Sequence, residues 1–160
     1  MEKYLGVKLI SAEPCFGRNN KCVPENSEFE GTEQKGYKVV YEDGYTSWSP
    51  KDVFEKAYRR IDNLTFGLAI EALKQGKCIA RKGWNGKGMF IFKQVPSVID
   101  NAIISKMQSV PDSAKTILTT RNQEPIYYDN QMVIVKPDGT IDSWVASSSD
   151  TFAEDWMILE

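Results

Sequence analysis

The chain contains no histidine. That absence rules out the Ser-His-Asp and Cys-His designs of nucleophilic catalysis within this chain, along with any zinc site that uses an imidazole. Cysteine is scarce, with only Cys15, Cys22 and Cys78. "CFGRNNKC" has a spacing that can close a disulfide loop, but a cytosolic setting favours a reduced pair. No apolar run approaches the roughly 20 residues of a membrane-spanning helix. The opening "MEKYLGVKLISAEP" lacks a signal-peptide layout, so a cytosolic protein is expected. Neither sign of charge dominates. Twenty Lys and Arg face 22 Asp and Glu, a net charge of −2, which gives no global argument for DNA, RNA or an anionic membrane. Helix-turn-helix, RNP, KH and zinc-finger patterns are all missing.

What remains is ordinary for a globular protein: 160 residues, 41% hydrophobic and 26% charged. Residues 1–60 read as a small β-rich unit closed by a helix. Val7, Leu9 and Ile10 suggest a first strand. "GYKVVYEDGYTSW" reads as a hairpin turning at Asp43-Gly44. In "SPKDVFEKAYRR", Ser49 fits an N-cap with Pro50 at the first helical position, and Val53, Phe54, Ala57 and Tyr58 share one face. The polar stretch from Arg18 to Gly36 reads as a loop.

A second unit spans residues 61–160. "LTFGLAIEALKQG" predicts a helix capped by Thr65 and ended by Gly76, with Phe66, Ala69, Ile70 and Leu73 along one stripe. "KCIARKGWNGKGMFIFKQV" reads as strand, Gly-rich connection, strand. "PSVIDNAIISKMQSV" places Val98, Ile99, Ala102, Ile103, Met107 and Val110 on one helical face with Ser97 as cap, and Pro111 opens a further helix through Thr119. A strand pair around Asp138-Gly139 and the segment "VASSSDTFAEDWMIL" close the chain. The expected class is α+β, a mostly antiparallel sheet with packed helices, preceded by the small N-terminal unit. "YEDGYTSWSPKDVF" and "KPDGTIDSWVASSSDTF" share an Asp-Gly turn, a Ser-Trp and an Asp-x-Phe, a common hairpin-to-helix device rather than a repeat.

Charge is uneven around "RKGWNGKG", residues 81–88. From Lys77 to Lys93 there are five basic residues and no acidic one, and from Asp138 to Glu160 six acidic residues and no basic one. Brought together, the two segments offer cations for phosphates and carboxylates for ribose hydroxyls. The plainer alternative is two solvated faces. "GWNGKG" lacks the spacing and the Ser or Thr of a Walker A loop, and its helix precedes the strand instead of following the glycines as in a dinucleotide fingerprint. Its glycines allow backbone N–H groups to approach an anion, and its Trp can stack on a base, but a hairpin with a buried Trp fits the pattern equally. Of the four tryptophans, Trp48 reads as packing, whereas Trp84, Trp144 and Trp156 have polar neighbours. Asp150, Glu154 and Asp155 are the carboxylates available for a divalent cation or acid–base work. No second carboxylate cluster accompanies them, so neither a catalytic residue nor a metal site is expected.

"TFGLAIEALKQGKCIARKGWNGKGMFIF" together with "DGTIDSWVASSSDTFAEDW" resembles the phage Thoeris anti-defence family of the second kind, over about residues 64–160. The shared pattern is a Phe-Gly-x-Ala helix, then Arg-Lys-Gly-Trp-Asn-Gly, then Asp-Gly-x-x-x-x-Trp and Ala-Glu-Asp-Trp. The resemblance implies small α+β subunits assembled as homotetramers. It implies a sponge, not an enzyme, that holds cyclic nucleotide immune signals: glycocyclic ADP-ribose and, in some relatives, the cyclic dinucleotides of other defence systems such as CBASS. It implies no cofactor, no DNA or RNA, no membrane, and residence in the cytoplasm of the infected bacterial host. Carried over by motif, Trp84 would stack on a base and Asn85 would hydrogen-bond. Arg81 or Lys82 would face phosphates. Trp144, Ser147 and Asp150 would line the other side, while Asp155 and Trp156 mainly hold the fold. This chain departs from the short family members in a helical insert at 96–126 and in its N-terminal unit, for which the sequence suggests no activity. An enzyme degrading such nucleotides and a phage protein-interaction module stay open as alternatives.

Overall fold

The computed structural model describes residues 7–19, 21–23, 33–84, 86–121 and 125–159, and the chain divides between Asn63 and Leu64 into two compact units.

The first unit is a four-stranded antiparallel sheet in the order β2-β1-β3-β4, comprising β1 (Ser11–Arg18), β2 (Lys21–Val23), β3 (Gln34–Val40) and β4 (Thr46–Pro50). The strand expected at Val7–Ile10 is not formed there: β1 begins only at Ser11, opposite Val40. The stretch expected as a loop from Arg18 to Gly36 contains β2 and the start of β3; residues 20 and 24–32 of it lie outside the described residues. Cys15 and Cys22 are joined as a disulfide, not left reduced, because the β1–β2 pairing brings their Cα atoms to 5.9 Å. The β3–β4 hairpin turns at Asp43-Gly44 as expected, with Gly44 at φ 82°, the left-handed region that glycine adopts without strain.

Helix α1 (Lys51–Ala57) starts one residue later than the sequence suggests. Ser49 and Pro50 are still paired with Tyr37 and Gly36, so Pro50 takes the cap position and Ser49 caps nothing. Of its four expected apolar residues, Val53 is 60% exposed and Ala57 is exposed too. Phe54 carries the packing, stacked between Tyr37 at 4.2 Å and Tyr58 at 5.0 Å. Trp48 lies flat over Gly17 and Gly36, so close that a Cβ on Gly17 would fall 2.0 Å from its ring.

The second unit is a five-stranded antiparallel sheet in the order β10-β9-β6-β5-β11, with β5 (Cys78–Arg81), β6 (Phe90–Gln94), β9 (Gln131–Val135), β10 (Ile141–Ser143) and β11 (Trp156–Leu159). Helix α2 (Phe66–Lys74) packs on β5 and β11 through Ala69, Ala72 and Leu73. Its ends match the sequence: the Thr65 side chain accepts from the Leu68 N–H, and Gly76 takes φ 81° just past the last turn. The core joins that helix face to Ile79, Ile91, Val133, Trp156 and Ile158.

The excursion between β6 and β9 differs from the long helix expected at 97–110. Val98 and Ile99 pair with Tyr127 and Ile126 in a two-stranded ribbon of β7 (Ser97–Ile99) and β8 (Ile126–Tyr128), so Ser97 is a strand residue and no cap. Only one turn of helix follows, α3 (Asn101–Ile104), burying Ile104 and leaving Ile103 49% exposed. Helix α4 (Asp112–Arg121) does begin after Pro111. Among the described residues no helix is long and apolar enough to cross a membrane.

The two Asp-Gly turns are the same device at atomic detail. Gly44 N–H donates to Tyr41 and Tyr45 N–H to the Asp43 carboxylate; Gly139 N–H donates to Lys136 and Thr140 N–H to the Asp138 carboxylate. Each hairpin then leads through a Trp into a helix, α1 in the first unit and α5 (Ser148–Thr151) in the second.

Candidate functional site

Strand pairing brings the two distant motifs of the second unit together. Arg81, last in β5, lies opposite Trp156, first in β11. The chain then turns: the Trp84 N–H reaches the Arg81 carbonyl at 3.4 Å, and Lys82 N–H donates to the Asp155 carbonyl at 3.1 Å. On the other side Ser147 caps the one-turn helix α5 in a reciprocal capping box. Its hydroxyl accepts from the Asp150 N–H at 3.2 Å, and its own N–H donates to the Asp150 carboxylate at 3.1 Å.

Asp150 therefore faces the β5 turn with a fixed carboxylate. Arg81 donates Nη1 to Asp150 Oδ1 at 2.7 Å and Nε to Asp155 Oδ1 at 2.8 Å. The guanidinium also lies over the Trp156 ring, 5.9 Å from its centre. Trp84 adds a longer contact, Nε1 to Asp150 Oδ1 at 3.4 Å. Burial works against the charge on Asp150, but hydrogen bonds from Ser147, Arg81 and Trp84 outweigh it and hold the carboxyl below its ordinary range. Asp155 follows the same balance: burial opposes its charge, and Arg81 with the Gly83 N–H overcomes it. The Asp155 hydrogen bond leads in raising Arg81 above its ordinary value.

Aromatic rings pack beside the Arg81–Asp150 pair. Trp156 is 0% exposed, and its indole N–H donates to the Asp150 carbonyl at 3.0 Å. Half-buried Trp84 and Trp144 stand edge-on to it at 5.5 and 5.9 Å, and edge-on to each other at 6.2 Å. Phe66 completes the group, 5.3 Å from Trp156 and 6.2 Å from Trp144. Such T-shaped packing is the favoured geometry of aromatic rings.

Of the residues singled out from sequence, the structure gathers Arg81, Trp84, Trp144, Ser147 and Asp150 into this one cluster. Lys82 sits beside them on the turn with an exposed side chain. Asn85 lies outside the described residues. Phe66, which helical spacing marks only as part of the apolar stripe of α2, joins the cluster because its place just after the Thr65 cap sets it against Trp156 and Trp144. Asp155, read as a fold residue, is tied directly to the turn that carries Trp84: Gly83 N–H donates to its Oδ2 at 2.7 Å.

The comparisons with known proteins fall on the same unit. The model of the Thoeris anti-defense 2-like domain matches residues 64–159. Thoeris anti-defense 2 of Bacillus phage SP01 is 33% identical over 96 residues, which cover 60% of this chain and 94% of that protein. A match over more than half of the chain, carried by the segments that converge on Arg81, means that this chain belongs to the Thoeris anti-defense 2-like family.

Proposed function

We propose that the protein serves phage anti-defence as a non-enzymatic sponge, binding and sequestering cyclic nucleotide immune signals in the host cytoplasm. Glycocyclic ADP-ribose is the first ligand to consider and cyclic dinucleotides the second. The observation that carries this reading is the convergence of Trp84, Trp144 and Phe66 on Trp156, over which the Asp150-bonded Arg81 lies, from segments about 70 residues apart in sequence. A base stacks on aromatic faces, and such stacking is worth about 1–3 kcal/mol per base. Lys82 and Lys87 on the glycine-rich turn supply positive charge for phosphates alongside Arg81, and Asn85 adds a hydrogen-bonding amide. Ser147 and Asp150 would recognise ribose hydroxyls.

The carboxylates also favour binding over chemistry. A general acid near neutral pH needs a carboxyl pKa raised toward 7, whereas Asp150 and Asp155 are both shifted down. Their oxygens already accept from Arg81, Ser147 and Gly83. Assembly as a homotetramer without DNA, RNA or membrane belongs to the same proposal.

Calorimetric titration with glycocyclic ADP-ribose, linear ADP-ribose and several cyclic dinucleotides tests it, followed by heat denaturation and mass analysis of the released nucleotide. Tight binding with the ligand returned intact is the expected result, and Trp84→Ala should weaken it at least tenfold. Processed ligand would move the protein to the enzymes. No binding across the panel would overturn the nucleotide reading.

A further inference from the structure

We infer that Asp155 is the positioning residue of this site: it holds the turn 81–83 so that Trp84 stands in register with Trp144 and Trp156. The inference rests on the nucleotide-binding reading for its effect on affinity, but its geometric part stands independently of that reading.

Three consecutive residues are tied to Asp155. Arg81 Nε donates to Oδ1 at 2.8 Å, Lys82 N–H to the main-chain carbonyl at 3.1 Å, and Gly83 N–H to Oδ2 at 2.7 Å. Trp84 comes next and closes the turn on the Arg81 carbonyl. Its orientation is thus set by a frame whose first three members share one partner. The backbone of Asp155 continues the β5–β11 ladder one step beyond Trp156 and Arg81, and its carboxylate takes the donor after that.

Gly83 supports the same conclusion from the opposite side. Its φ does not lie in the left-handed region, so glycine is not needed there for backbone conformation. Space is what it supplies: a Cβ at 83 would sit 2.7 Å from Asp155 Oδ2, so the carboxylate would have to move away from the Gly83 N–H. Glycine at this place lets the carboxylate come close enough to take the N–H. The glycine of "RKGW" and the aspartate of "AEDW" thereby form one contact across 72 residues of sequence.

A merely structural role would cost stability and nothing else, so the test separates the two. Asp155→Asn and Gly83→Ala are made in the full chain, with Ile79→Val as a control that loosens the core two residues away from the turn. Far-ultraviolet circular dichroism and urea unfolding report fold and stability. Near-ultraviolet circular dichroism reports the mutual orientation of the coupled Trp rings. Calorimetry with glycocyclic ADP-ribose and the cyclic dinucleotide panel reports affinity. We expect both site variants to keep the far-ultraviolet spectrum, to change the near-ultraviolet Trp signal, and to lose at least tenfold in affinity for whichever nucleotide the unaltered protein binds. Ile79→Val should lower the urea midpoint with neither change. Wild-type near-ultraviolet spectra in both site variants would overturn the inference, as would an equal loss of affinity in Ile79→Val. If no nucleotide binds the unaltered protein, the functional reading fails, and the near-ultraviolet comparison alone still decides whether Asp155 positions Trp84. Gly83→Ala keeps that arm decisive if Asp155→Asn does not fold.

Discussion

Arg81 and Asp150 meet at 2.7 Å although 69 residues of chain separate them. The contact joins the last residue of a central strand to the capping box of a one-turn helix. Side-chain exposures of 17% and 13% leave little water to substitute for either partner. Removing the cation would strand a carboxylate that burial already opposes.

Arg81→Met, which keeps most of the aliphatic volume, is therefore expected to destabilise the second unit by about 2–3 kcal/mol. That is somewhat less than the roughly 3–5 kcal/mol of a fully buried broken pair, because part of each side chain still meets water. Urea unfolding followed by Trp fluorescence measures the loss. A midpoint equal to that of the unaltered protein would show that solvent replaces Arg81 freely.

Acid should act on the same contacts. Asp150 and Asp155 have folded pKa values below the roughly 3.9 of an unfolded aspartate. A lowered folded value means that their stabilisation is complete above the unfolded pKa and is lost as pH falls through the folded one. Stability of the second unit should change little through these groups from pH 7 to about 5, then fall below about pH 4. Asp150→Asn should show a shallower acid limb, because one of the two linked protons is gone. Urea midpoints measured across this range give the answer, and an unaltered acid slope in the variant would contradict the ionised pair.

In the first unit the sharpest expectation concerns Gly17. A methyl group there would overlap the Trp48 ring, and Trp48 is backed by Gly36 on the neighbouring strand. Overpacking of a tight contact costs about 1–3 kcal/mol. Gly17→Ala should lower the thermal midpoint of the first unit and shift Trp48 fluorescence. Gly44→Ala, with open space around the added methyl but φ 82°, should cost about 1 kcal/mol for backbone reasons alone.

Two caps can be weighed against each other. Thr65→Ala removes a single cap hydrogen bond, and a loss of about 1 kcal/mol is expected. Ser147→Ala removes both the cap and a donor to Asp150, so it should cost more and should also weaken nucleotide binding. Parallel unfolding curves and titrations compare them. Equal losses would mean that the Ser147 hydroxyl does no more than cap.

How much of this was legible in advance varies with the range of the interaction. Helix α2, with Thr65 at its start and Gly76 past its end, could be read directly, because caps and apolar stripes are local. The two Asp-Gly hairpins were equally plain. The helix expected over 97–110 was not formed, since Val98 and Ile99 found strand partners near residue 127 that helical spacing cannot reveal. Ser49 lost its cap role to a β3–β4 register that kept it in a strand. The reduced pair expected for Cys15 and Cys22 is instead a disulfide, because the β1–β2 hairpin brings the two together.

By itself, then, the sequence determined the local grammar: turns at glycines with positive φ, a capped amphipathic helix, a Trp after each Asp-Gly hairpin, and two motifs distinctive enough to mark the family. Only the tertiary structure decided that Arg81 sits between Asp150 and Asp155, that Gly83 makes room for a carboxylate, and that Phe66, Trp84 and Trp144 surround a buried Trp156. Those relationships depend on antiparallel pairing of β5 with β11 across some 75 residues. Pairing at that range is fixed by burial of the whole core, which no short window of sequence contains.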